Sequence, residues 1–191
     1  MSTTEENKDL EPILEGNNEN PEAEQEDQGI KIDDAKFEKY MANLKLEQNL
    51  PMALSAGMIS AVVMAVIWAA VTVITNYQIG YMAIAVGLAV GFAVKFMGKG
   101  FDQVFGIIGG AFAFFGCLLG NFLSIVGFIA DAEGMGYFET YALIDWSMIP
   151  DLMIDTFSGM DLLFYGIAIY EGYRFSFRQI TEEEVIKHAA A

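Results

Sequence analysis

The chain has 191 residues, 54% of them apolar, and a formal net charge of −16, which leaves room for one domain and offers no basic stripe to neutralise nucleic-acid phosphates. A single cysteine, Cys117, excludes an intrachain disulfide and any metal site built from cysteines, and the single histidine, His188, lies close to the carboxy terminus, where solvation is expected rather than metal ligation. The average composition hides two solvents: residues 1–50 carry fourteen carboxylates and five lysines, whereas between Pro51 and Ala130 the only charges are Lys95, Lys99 and Asp102.

The first element is a tail. Ten acids fall within residues 5–27, with Lys8 the one base among them, and too little of this stretch is apolar to offset the entropy of ordering it. Residues 1–29 are therefore expected to be disordered. Over residues 30–50, Phe37, Tyr40, Met41 and Leu44 form an amphipathic stripe, which predicts a juxtamembrane helix that rests on a membrane or docks a partner.

Four apolar segments follow, expected to cross a membrane at about 51–75, 78–97, 103–130 and 157–177. The first is free of charge, and its apolar run continues well past the core of a secretory signal, so it is expected to stay as an anchor. The second ends where Lys95, Gly98, Lys99 and Gly100 interrupt it, and the third ends at Asp131 and Glu133. The fourth has only the stretch from Leu162 to Tyr170 free of charge; it spans only if Asp161 and Arg174 sit near opposite interfaces and its neighbours stabilise it. Between the third and fourth, Met148, Ile149, Leu152, Met153 and Phe157 recur at helical spacing, which predicts a short interfacial helix at about 146–156 with Pro150 in its first turn.

The bases orient the chain. Lys31, Lys36, Lys39 and Lys45 precede the first segment, Lys95 and Lys99 lie in the turn after the second, and Arg174, Arg178 and Lys187 end the fourth and the tail at 178–191. Residues 76–78 and 131–160 contain no Lys or Arg, so both termini are expected in the cytoplasm. In lipid, helices associate where small side chains let backbones approach. Ala53, Gly57, Ala61, Ala65 and Ala69 recur every four residues in the first segment, Gly87 and Gly91 follow in the second, and Gly106, Gly110 and Gly120 in the third; these are the candidate packing residues.

The stretches Leu46-Glu-Gln-Asn-Leu-Pro51, Tyr77-Gln-Ile-Gly-Tyr-Met-Ala83, Phe96-Met-Gly-Lys-Gly100, Gly116-Cys-Leu-Leu-Gly-Asn121 and Ala168-Ile-Tyr-Glu-Gly-Tyr-Arg174 resemble a group of small, uncharacterised bacterial four-helix integral membrane proteins. The resemblance covers about residues 46–177 and implies a multi-pass location in a bacterial inner membrane. It brings no activity, and the zinc-ribbon-like part that precedes the module in some relatives is not carried over, because the cysteines for it are lacking.

Three polar constellations stand out. Glu171 and Arg174 share a helix face and, with Lys95, form a candidate ion pair, against snorkelling of each into headgroups. Asn121 and Ser124 are candidates for hydrogen bonds across the bundle. The acids of the outer connection lack the alternation and central glycine of a calcium loop and read better as the polar face of the interfacial helix. With no nucleophile and base pair, phosphate loop or metal cluster in the pattern, no cofactor and no enzyme are expected. The expected protein is all-α: a polytopic membrane four-helix bundle with an interfacial helix and a disordered acidic tail. Its partners are the lipid bilayer and copies of itself or other membrane proteins, and its role is a non-catalytic scaffold or accessory subunit. The alternative is a small oligomeric channel or transporter.

Overall fold

The computed structural model describes residues 33–77 and 80–189. Every described element is helical: α1 (Asp34–Glu47), α2 (Leu50–Thr75), α3 (Met82–Gly98), α4 (Gln103–Glu133), α5 (Tyr137–Leu143), α6 (Ile149–Thr156), α7 (Gly159–Phe175) and α8 (Glu182–Ala189), with no strand among the described residues. The tail expected to be disordered, residues 1–29, lies outside the described residues.

Local chemistry sets the boundaries. Asp33 caps α1 by accepting from the N–H groups of Ala35 and Lys36 at 3.0 and 3.2 Å, and Asn49 caps α2 by accepting from Met52 N–H at 3.0 Å. Pro51 sits in the first turn of α2, where its missing N–H costs nothing. At the far ends, Asn76 (φ 53°) stops α2 and Gly134 (φ 65°) stops α4, each in the left-handed conformation that lets the cap N–H reach back to the last carbonyls.

Two helices, α2 with 26 residues and α4 with 31, are long and apolar enough to cross a membrane. The α6–α7 pair passes the same test as a unit but is bent by 96°, so the number of such spans is two, or three if the bent pair is one. Helix α3 is apolar and has 17 residues, shorter than the expected 78–97. Helix α7 begins after its expected start at 157 because Ser158 and Asp161 close a capping box: the Asp161 carboxylate accepts from Ser158 N–H at 2.8 Å, and the Ser158 hydroxyl accepts from Asp161 N–H at 3.4 Å. The charge that made this segment doubtful in the sequence is the residue that starts its helix. Helix α5 was not expected at all; its seven residues are too few to show a helical period.

Helices α2, α3, α7 and α4 pack side by side in that cyclic order, α3 and α4 also meet across the middle, and α2 does not touch α7. Register follows from the close contacts. The place where a side chain on Gly57 would begin faces Phe112, that of Gly116 faces Ala61, that of Gly120 faces Trp68 and that of Gly127 faces Val73, so α2 and α4 run parallel. By the same reasoning Gly80 faces Phe164, Gly87 faces Ala168 and Gly91 faces Glu171 and Phe175, so α3 and α7 also run parallel. At one end, here the tail end, Asn49 N–H donates to Gly98 O at 2.9 Å, Arg178 N–H donates to Gly100 O at 2.8 Å, and α8 packs on α1. Helices α5 and α6 lie at the opposite, loop end against α4.

Replacing Ser158 by Ala removes half of the capping box and is expected to lower stability by about 1 kcal/mol. Thermal unfolding of the purified variant in detergent reads this as a melting temperature lowered by a few degrees; an unchanged value would contradict the assigned cap.

Candidate functional site

The inner faces of the four packed helices are built from small side chains. Ala53, Ala61 and Ala65 are fully buried, Ala69 is 6% exposed, and Gly57, Gly87, Gly91, Gly106, Gly110 and Gly120 are all buried at helix contacts. The tightest approaches are between backbones. A Cβ on Gly87 would lie 2.5 Å from the carbonyl oxygen of Ala168, and one on Gly109 would collide with the Gly172 carbonyl and the Ser176 hydroxyl. Gly172 is met from the other side, since its Cβ would lie 2.6 Å from Gly109 O. Gly109 and Gly172 therefore form the α4–α7 contact, where Gly110, 3.3 Å from Ile169 O by the same measure, is looser.

Gly172 was absent from the packing residues read from the sequence. A signal for it exists: Ala168, Gly172 and Ser176 recur every four residues, the same spacing that marks the ridge on α2. Ser176 is fully buried and donates to Gly172 O at 2.6 Å, so its hydroxyl is satisfied within its own turn and can face another helix without an unpaired polar group.

Asn121 and Ser124 are both 2% exposed and enter the packed interior in different ways. The Asn121 side chain hydrogen-bonds the phenol of Tyr165 on α7, and the Tyr165 O–H donates to Cys117 O at 3.2 Å, so this polar contact does cross between helices. Ser124 instead donates to Gly120 O in its own helix at 2.8 Å. On the facing side of α2, the Trp68 indole N–H and the Thr72 hydroxyl are buried with no protein partner among the described residues.

The structure does not join Lys95, Glu171 and Arg174 in an ion pair. Arg174 turns to the residue one turn before it, donating to the Tyr170 hydroxyl at 3.1 Å with its guanidinium 5.8 Å from that ring, which orders the cation at an exposed edge without a carboxylate. An ion pair at this end joins Arg178 to Glu47 at 2.9 Å and ties the carboxy-terminal segment to α1. Beside it, Gln48 donates to Asp102 at 3.1 Å, and the rings of Tyr40 and His188 stack at 4.7 Å. The stripe on α1 is thus partly covered by α8, with Leu44 buried and Phe37, Tyr40 and Met41 half-buried.

Aromatic side chains gather at the loop end. Tyr77, Tyr81, Phe138 and Trp146 are exposed there, and Trp146 packs edge-on against Tyr141 at 4.9 Å. Two apolar clefts of about 590 Å³ each open on the flanks, one between α4 and α7 and the other between α2, α4 and α5. Among the described residues no group of three or more His, Cys, Asp or Glu side chains converges to hold a metal ion. Comparison with protein-family models, with curated proteins and with solved structures finds no match.

Gly87→Val puts atoms into the Ala168 backbone and is expected to cost about 1–3 kcal/mol. Gly166 lies mid-helix on α7 with nothing near its Cβ position, so Gly166→Ala is expected to leave stability unchanged or raise it by up to about 1 kcal/mol. Unfolding titrations of the two variants side by side measure the contrast, and equal effects would refute the register. A pH effect is expected in the loop between α5 and α6. The Ser147 N–H and O–H both donate to the Asp145 carboxylate, at 3.0 and 2.8 Å, and hold its pKa below the ordinary value. Since the folded value is the lower one, the loop's contribution to stability is present above the unfolded pKa and is lost as pH falls through the folded one. Ser147→Ala should raise the Asp145 pKa, as read by NMR titration of its carboxyl carbon.

Proposed function

We propose that this chain is a multi-pass membrane protein whose α2, α3, α4 and α7 all cross the bilayer, serving as a non-catalytic scaffold or accessory subunit of a membrane assembly. The observation that carries this reading is the inverted burial on α2. Its inward face is Ala53, Gly57, Ala61, Ala65 and Ala69, while Leu54, Met58, Ile59, Val63, Val66 and Ile67 point outward and are 42–63% exposed. A water-soluble helix buries the large apolar residues and exposes the small or polar ones. Lipid removes that drive, because hydrocarbon solvates leucine as well as a core does, and leaves close backbone packing as the source of association.

Three further features support it. Exposed Tyr and Trp side chains collect at the loop end, as amphipathic rings do at a headgroup layer. Helix α6 stands at 96° to α7, which suits a helix lying along the membrane plane beside one that crosses it. The three segments that hold the bases, α1, the α3–α4 turn and the stretch around Arg178, meet at the tail end, and the loop end has none; this favours both termini in the cytoplasm. With α3 and α7 at 17 residues each, about 26 Å at 1.5 Å per residue, both are short for a hydrocarbon core of about 30 Å and cross it with their flanking turns included. The scaffold role rests on the filled interior: Val86, Val90, Val94, Ala113 and Cys117 are fully buried along the axis, so a conduction path would have to form between protomers.

Topology and role are tested together. Single cysteines introduced at Lys99 and at Glu139 in a Cys117→Ala background should react with a membrane-impermeant maleimide only after permeabilisation for the first, and in intact cells for the second. The reverse pattern, or extraction of the chain by alkaline carbonate, would sink the membrane reading. Reconstituted protein should show no ion or solute flux, and steady flux would favour the channel alternative over the scaffold.

A further inference from the structure

Because α2 and α4 are parallel neighbours, both bring their carboxy-terminal ends, with partial negative charge, to the loop end. Neither helix has a base in its last turn, and α4 adds Asp131 and Glu133 there. Of the two positive helix ends on this side of the bundle, that of α7 lies away from α2, which it does not touch, whereas that of α3 packs beside both α2 and α4. With Asp131 and Glu133 on α4 and Glu139 on α5, and no base beside them, the α2–α4 flank of this end is negative.

An apolar cleft of about 590 Å³ opens on that flank. Val66, Ala70 and Val73 of α2 and Leu123 of α4 line it, and Tyr137 and Phe138 of α5 wall it at the loop end. The wall is fastened: Tyr137 O–H donates to Leu123 O at 3.0 Å, so α5 is pinned to α4 beside the cleft rather than folded into it. Glu139 follows directly on α5, and residues 131–160 contain six acids with no Lys or Arg. Hydrocarbon surface thus lies directly below a zone that favours cations and repels anions. A single alkyl chain, far narrower than a second helix of about 10 Å, suits a cleft bounded at the loop end by Tyr137 and Phe138.

We propose that this cleft holds one acyl chain of an outer-leaflet phospholipid whose headgroup ends in an ammonium, with Asp131, Glu133 and Glu139 selecting that headgroup. The inference rests on the membrane reading above. The chain supplies apolar contact, and the ammonium is drawn to carboxylates and helix ends that would reject a net-anionic headgroup. Because the selecting charges sit at the surface, salt should weaken the preference for the headgroup without releasing the chain.

The full chain, purified from bilayers holding equal amounts of phosphatidylethanolamine and phosphatidylglycerol, is examined by native mass spectrometry for retained lipid. Wild type should keep the ethanolamine lipid with a preference of about fivefold. Ala70→Phe fills the cleft from an exposed position and should lower retained lipid severalfold at unchanged melting temperature; should it not fold, Val66→Trp closes the cleft from the same helix. The Asp131→Asn, Glu133→Gln, Glu139→Gln triple variant should keep lipid but lose the preference. Equal retention of both lipids by wild type, or full retention by the filled variants, would overturn the proposal, as would a dimer in place of lipid that Ala70→Phe dissolves. Carbonate-resistant sedimentation of the same samples separates the two readings: a chain that sediments yet keeps no lipid defeats the cleft alone, and a chain that does not sediment defeats the membrane reading.

Discussion

The arrangement depends on one constraint, that α7 must lie nearly in backbone contact with both α3 and α4. Gly87 against Ala168 and Gly109 against Gly172 are the tightest of these approaches, and neither leaves room for a methyl group. Such an approach gains dispersion contacts along two whole backbones and exposes them to no solvent. It also fixes orientation. Once α7 is seated with Ala168 on α3 and Gly172 on α4, its parallel relation to α3 follows, and with it a bundle of two parallel pairs, α2 with α4 and α3 with α7, that run in opposite directions.

The constraint also explains why polar groups are tolerated inside. Ser124 and Ser176 each return their hydroxyl to the carbonyl four residues earlier, at 2.8 and 2.6 Å, so they behave as small residues with no unpaired donor. Asn121 reaches across to Tyr165 on α7. The tail end is held differently, by backbone hydrogen bonds from Asn49 to Gly98 and from Arg178 to Gly100, with the partly exposed Arg178–Glu47 pair worth less than about 1 kcal/mol beside them.

The sequence was informative where one physical period dominates. The four-residue recurrence from Ala53 to Ala69 located the inward face of α2, and the uncharged runs located α2 and α4. It was less informative where partners are distant in sequence. Whether Asn121 or Ser124 would cross the bundle depends on which of them faces α7, and Tyr165 is 48 residues beyond Cys117, so no local pattern could decide it. The expected association of Lys95 with Glu171 and Arg174 failed for a local reason, since Tyr170 offers Arg174 a hydroxyl and a ring one turn away. Asp161 was read as a charge to be kept from lipid, whereas in the fold it completes a capping box, a role its spacing from Ser158 did encode.

The absence of contact between α2 and α7 has a consequence for how the protein is made. Helices α2, α3 and α4 leave the ribosome before α7, and each touches the other two, so they can close on one another before α7 exists. What they present in the meantime is a furrow between α3 and α4 floored by Gly87, Gly91, Gly106 and Gly109. Helix α7, short and with an acid in its first turn, meets a mould already shaped to its own small-residue face. Its entry is a docking step, and a chain stopped before Ser158 would carry that open furrow as a surface for quality control to recognise.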